Sequence, residues 1–83
     1  PRLRLFPNPA FGPYKVEVQV PMGSSRLLVY NAEGRLFRRI WLDVAPGPTG
    51  TRIYLNTQNW PRGLYQVVAQ QAGAQSSAKL LLR

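Results

Sequence analysis

The chain has 83 residues, eleven Lys and Arg against three Asp and Glu, a net charge of +8, and neither histidine nor cysteine. At this length folding buries only about 60 to 65% of the unfolded chain's surface, so one small core is the ceiling. Disulfides and thiolate metal sites are excluded, and no apolar run approaches the roughly 18 residues of a membrane-spanning helix, which reads as a soluble globular domain.

Pro1 follows no initiator methionine and no charged-then-apolar leader, so it is expected to mark a boundary within a longer protein. From there, apolar runs cut by Gly- and Pro-bearing gaps predict seven strands, over residues 2–6, 14–20, 26–30, 35–42, 51–56, 64–70 and 77–82. The gaps read "PNPAFGP", "PMGSS", "NAEG", "DVAPGPTG", "NTQNWPRG" and "QAGAQS", and no run contains proline. The second run, "YKVEVQV", alternates strictly, placing Tyr14, Val16, Val18 and Val20 on a core face and Lys15, Glu17 and Gln19 on a wet one. Between the third and fourth runs, "NAEGR" predicts a hairpin that Asn31 caps and Gly34 closes with a positive φ. Before the sixth run, "WPRGLY" predicts a corner at which Gly63 releases a turn into a strand. Tyr65 then packs near the corner, its hydroxyl in reach of a loop carbonyl, as in the tyrosine corner of immunoglobulin-like sandwiches. In the last run Ala78, Leu80 and Leu82 share one face and Lys79, Leu81 and Arg83 the other. With no segment able to serve as a crossover helix, an antiparallel sandwich or small barrel is expected.

The chemical inventory excludes an enzyme. Glu17, Glu33 and Asp43 fall on a strand, in a turn and at a strand end, with no spacing that suggests a catalytic pair. Ser24, Ser25, Ser76 and Ser77 are placed in turns, where their hydroxyls bond local backbone, and no histidine is present to activate them. No cofactor or metal is implied. Tyr30, Phe37, Trp41, Tyr54, Trp60 and Tyr65 are assigned mostly to core packing, and the arginines, spread along the chain, to a solvated surface.

Four pieces in order, "LFPNPA" at 5–10, "VYNAEGRLF" at 29–37, "WPRGLYQV" at 60–67 and "AKLLL" at 78–82, resemble the C-terminal sorting domain of the type IX secretion system. That family's pattern has a Pro-Asn-Pro start, a D-x-x-G-[RK] hairpin, an L-P-x-G-x-Y corner and a closing Lys before aliphatic residues. Asn31 stands where Asp is usual and Trp60 where Leu is usual. The resemblance implies a seven-stranded antiparallel immunoglobulin-like β-sandwich over 1–83, a single sorting domain at the end of a longer secreted or surface protein. Its implied role is a non-catalytic export signal read by the translocon, with outer-membrane shuttle and sortase components as partners. It further implies transit of the periplasm, passage across the outer membrane and attachment at the cell surface, where anionic lipopolysaccharide is a further partner. The residues it marks are Pro7, Asn8, Pro9, Gly34, Arg35, Gly63, Tyr65, Lys79, Leu80, Leu81 and Leu82.

Two other classes compete. A basic β-barrel binding nucleic acid would use the arginine-aromatic mixture, with affinity falling steeply with salt; the ordered motifs favour sorting, so no nucleic-acid partner is expected. A carbohydrate-binding or spacer module is the third reading.

Overall fold

Among the described residues seven strands run in chain order: β1 (Arg4–Phe6), β2 (Lys15–Val20), β3 (Ser24–Tyr30), β4 (Leu36–Trp41), β5 (Thr51–Asn56), β6 (Gly63–Gln71) and β7 (Ala74–Leu82). The computed structural model describes residues 3–11, 15–21, 23–42 and 51–83. Expectations placed on Arg2, Tyr14 and Asp43 therefore lie outside the described residues. All named pairings are antiparallel, in a three-stranded sheet of order β1-β2-β5 and a four-stranded sheet of order β4-β3-β6-β7. Among the described residues there is no helix.

The period-2 pattern of β2 sets the inner face of the smaller sheet. Val16, Val18 and Val20 are buried, Lys15 is exposed, and Glu17 and Gln19 are half-buried on the outer side. Register extends that face sideways, because Leu5 lies opposite Val18 and Leu55 opposite Val16. Across the interior these side chains meet Leu27, Val29, Val67, Ala69, Leu80 and Leu82 of the larger sheet in one contiguous cluster. Apolar burial of this kind, at about 25 cal/mol per Å², is the main term holding the two sheets together.

Three expectations are corrected. The sixth and seventh strands are longer at their shared hairpin, where only Ala72 and Gly73 form the turn and Gly73 has φ +73°. The "QAGAQS" composition reads as a loop, yet the ladder continues because each residue of 74–77 has a β6 partner, from Gln71↔Ala74 to Val68↔Ser77. The serines consequently lie in strands β3 and β7 instead of turns. Ser24 alone keeps a local backbone bond, donating its hydroxyl to the Pro21 carbonyl at 2.8 Å. Finally, core packing accounts for Trp60 and Tyr65 and for much of Phe37, whereas Trp41 is 61% and Tyr54 55% exposed. Register explains it: Trp41 lies opposite Arg26 and Tyr54 opposite Glu17, so both rings stand on outer faces.

Several of the described arginines make contacts at the surface. Arg52 pairs with Glu17 at 3.3 Å, an exposed contact of little energetic weight. Arg62 donates to the Thr57 and Trp60 carbonyls at 3.0 and 2.5 Å. The Arg38 guanidinium sits 4.1 Å from the Phe37 ring centroid. A planar, weakly hydrated guanidinium suits both uses better than an ammonium does.

Candidate functional site

The first segment, around Asn8, is built by the constraint of its neighbours. Pro7 and Pro9 have no N–H to give, so residues 7–9 cannot form an ordinary ladder with the outer edge of β7. The Asn8 carboxamide takes over both functions, donating Nδ2 to the Lys79 carbonyl at 2.6 Å and accepting the Leu81 N–H on Oδ1 at 3.1 Å. One step further on, backbone pairing resumes: the Ala10 N–H donates to Leu81 O at 2.8 Å and the Arg83 N–H to Ala10 O at 2.9 Å. Ala10 and Leu82 form a parallel bridge. The open edge of the last strand is thereby covered over residues 79–83, the part nearest the chain's end.

The hairpin between β3 and β4 is closed by Asn31. Its Oδ1 accepts the N–H groups of Glu33 at 3.1 Å and Arg35 at 2.9 Å. Gly34 takes φ +81° and donates its N–H to the Asn31 carbonyl at 3.0 Å. An acceptor oxygen at the first position is all this cap requires, so Asn serves here as Asp would. The ladder then slips at Val29/Tyr30, and the irregularity lets Phe37 pack against the core although strict alternation would turn it elsewhere.

The corner before β6 is tied at several points. The Trp60 N–H donates to Thr57 O at 3.0 Å, and the Tyr65 hydroxyl donates to the Pro61 carbonyl at 2.7 Å. Tyr65 is buried, and its burial raises the hydroxyl pKa above 10.0, with Arg62 and then Arg38 pulling down and Glu33 pushing up. A raised folded-state value means that this group's contribution to stability is intact below pH 10.0 and is lost as pH climbs through the folded-state value. Phe37, Trp60 and Tyr65 form a triangle of rings with centroids 5.2 to 5.4 Å apart. Phe37 with Trp60 is edge-to-face at 77°, the arrangement that the ring quadrupoles prefer.

Gly63 adopts φ +142°. An added Cβ would meet nothing within 4 Å, so the cost of substitution is backbone strain without collision. Gly63→Ala is expected to destabilise the domain by about 1 to 3 kcal/mol. An unchanged urea midpoint would show that the strain is absent.

Register then brings the pieces together. Gly63 lies opposite Leu82, Leu64 opposite Leu81 and Tyr65 opposite Leu80. The aromatic triangle links the hairpin to the corner, and Asn8 and Ala10 link the first segment to the last. Parts of all four segments, from Asn8 to Leu82, thus meet at one end of the larger sheet. A depression of about 160 Å³ lies there, with Asn31, Phe37, Arg62, Leu64 and Tyr65 in its wall.

At this end Pro7, Asn8, Pro9, Gly34, Arg35 and Lys79 are exposed, Leu81 and Gly63 are half-buried, and Tyr65, Leu80 and Leu82 are buried. The marked residues therefore divide into a presented set and a supporting set. Phe37 joins the supporting set although the motif pattern does not single it out, Trp60 joins it from the Leu position of the corner pattern, and the exposed Arg38 guanidinium lies over both rings. The sequence signal for Phe37 and Arg38 is their nearness to the hairpin. Among the described residues no group of acidic side chains could hold a metal ion.

No curated protein and no solved structure matches the chain. A family model, the secretion system C-terminal sorting domain, matches residues 4–83, nearly its full length and all four segments. That family is a sorting signal and not a catalytic one. The chain therefore belongs to the C-terminal sorting domains of the type IX secretion system.

Proposed function

We propose that the domain is an immunoglobulin-like sandwich that acts, folded, as the export label of a longer protein crossing the outer membrane. The strand order β1-β2-β5 over β4-β3-β6-β7 supports the immunoglobulin-like assignment. So does Tyr65 near the start of the sixth strand, bonding the carbonyl four residues upstream. The observation that carries the export reading is the convergence of the four segments on one end. A receptor that reads a linear tail has no use for Asn8 being held against Lys79 and Leu81. A receptor that docks on a folded surface requires it.

The presented set, Pro7, Asn8, Pro9, Gly34, Arg35 and Lys79, forms the recognition surface for the translocon and its outer-membrane shuttle. Gly63, Tyr65, Leu80 and Leu82 act by holding that surface in shape, with Leu81 at the boundary between the sets. Sortase processing and joining of the parent protein to lipopolysaccharide follow from the same reading, as does passage through the periplasm.

Lys79→Ala tests it. Lys79 is exposed and faces outward opposite Gln66, so its loss is expected to change stability by no more than about 0.5 kcal/mol. Secretion of a reporter fused to the domain is expected to fall. Normal secretion with an intact fold would remove Lys79 from the recognition surface and leave the signal to sheet shape or the loops.

A further inference from the structure

The opposite end of the larger sheet carries an open groove of about 790 Å³ that the export reading does not use. It is built on one row of the sheet's outer face. Trp41 lies opposite Arg26, Arg26 opposite Gln70, and Gln70 opposite Gln75, one residue from each of β4, β3, β6 and β7. At about 4.8 Å per strand the row is roughly 14 Å wide. Its low wall is the β6–β7 hairpin, where Gly73, with φ +73°, turns the chain away.

The row is pre-organised. The Arg26 Nε donates to the Gln70 Oε1, and the guanidinium carbon lies 5.4 Å from the Trp41 ring centroid. Arg26 takes one face of the indole, yet Trp41 remains 61% exposed, which leaves apolar ring surface facing solvent. Beyond Arg26 the row continues with two carboxamides: Gln70, whose Oε1 is engaged by Arg26 and whose amide offers a donor pair, and Gln75, which offers a donor pair and an acceptor. Among the described residues no carboxylate lines the groove.

From this geometry we infer that the groove binds an acidic polysaccharide, a chain of sugar rings carrying carboxylates. The C–H face of a pyranose stacks on the bare indole. Its hydroxyls alternate donor and acceptor and so match Gln70 and Gln75. The carboxylate meets Arg26, whose planar fork suits that shape. Single-stranded nucleic acid fits the row less well, because base-by-base binding uses successive aromatic platforms along a cationic track, and this row holds one aromatic ring and one cation. The inference does not depend on the export reading, since none of its residues lies in the four segments.

Calorimetric titration of the 83-residue chain with galacturonate oligomers, dextran oligomers of equal length and a short single-stranded oligonucleotide tests the site. Galacturonate is expected to bind, several-fold more weakly as salt rises from about 0.05 to 0.15 M, and dextran at least about tenfold more weakly still. Trp41→Ala is expected to lose at least about tenfold in affinity, a factor matching about 1.4 kcal/mol, with its thermal midpoint retained. Gln75→Ala provides a milder second variant, losing about threefold. Arg26→Gln weakens galacturonate binding and leaves dextran unchanged, whereas Lys15→Gln, which removes an equal charge on the other sheet, leaves both unchanged. Any of these results would overturn the inference: no galacturonate binding at the lower salt; affinity in the folded Trp41→Ala variant equal to the parent's; or equal losses from Lys15→Gln and Arg26→Gln, which would reduce the effect to net charge. Tighter binding of the oligonucleotide than of galacturonate at the higher salt would overturn it in favour of nucleic acid.

Discussion

Leu80→Ala lowers the unfolding free energy by about 2 to 5 kcal/mol. Leu80 is wholly buried and packs in the cluster between the sheets, directly opposite Tyr65 on β6. Truncation removes its transfer free energy and leaves a cavity beside Tyr65 and the β6 core row, where backbone pairing on β7 limits relaxation. A domain of this length has only about 0.05 to 0.15 kcal/mol of stability per residue, so the loss is a large share of the total. Export of a fused reporter is expected to fail too, for the trivial reason that the label is unfolded. The contrast with Lys79→Ala is informative because the two positions are adjacent on β7 and face opposite ways. Leu80→Ala should move the urea midpoint and export together, Lys79→Ala export alone. If Leu80→Ala kept the parent's midpoint, the packing of β7 onto the core described above would be wrong.

Trp60→Ala is expected to cost about 3 to 5 kcal/mol, the range for large aromatic truncations in a core. Trp60 is one vertex of the triangle with Phe37 and Tyr65, and the Arg38 guanidinium lies 5.8 Å from its ring centroid. Removing the indole withdraws a partner from both rings and opens the space that joins hairpin to corner. Trp60→Leu, which restores the residue usual in the family's pattern, refills part of that volume. It should cost clearly less than Trp60→Ala, roughly 1 to 3 kcal/mol, because volume-reducing swaps between apolar side chains retain most of the transfer term. Urea unfolding with an unchanged slope would measure both. Equal losses for the two variants would mean that the stacking geometry of the indole, and not filled volume, holds the corner.

Much of the scaffold was legible before any coordinates. Strict alternation in "KVEVQV" placed Val16, Val18 and Val20 inward, and burial follows that pattern. Asn31 and Gly34 were readable as a cap and a closing glycine, because an acceptor side chain and a positive φ answer a purely local demand. Tyr65 was readable for a similar reason, since its bond to Pro61 spans only four residues. The misreading of Gln71 and of residues 74–76 shows the limit. Small and polar residues carry weak strand preference, and β7 is held there by the partner strand it faces.

Periodicity, turn chemistry and motif order in the sequence alone thus determined the seven strands of the described residues, the inward faces of β2 and β7 and the family the chain resembles. They determined these because alternation and turn closure depend on neighbours in the chain. Only the tertiary structure decided that Asn8 lies against Lys79 and Leu81, that a ladder irregularity places Phe37 beside Trp60, and that Trp41, Arg26, Gln70 and Gln75 share one row. Each of these depends on strand order and register between segments far apart in the chain. Both are settled by how two sheets bury one core, and no local pattern of residues encodes them.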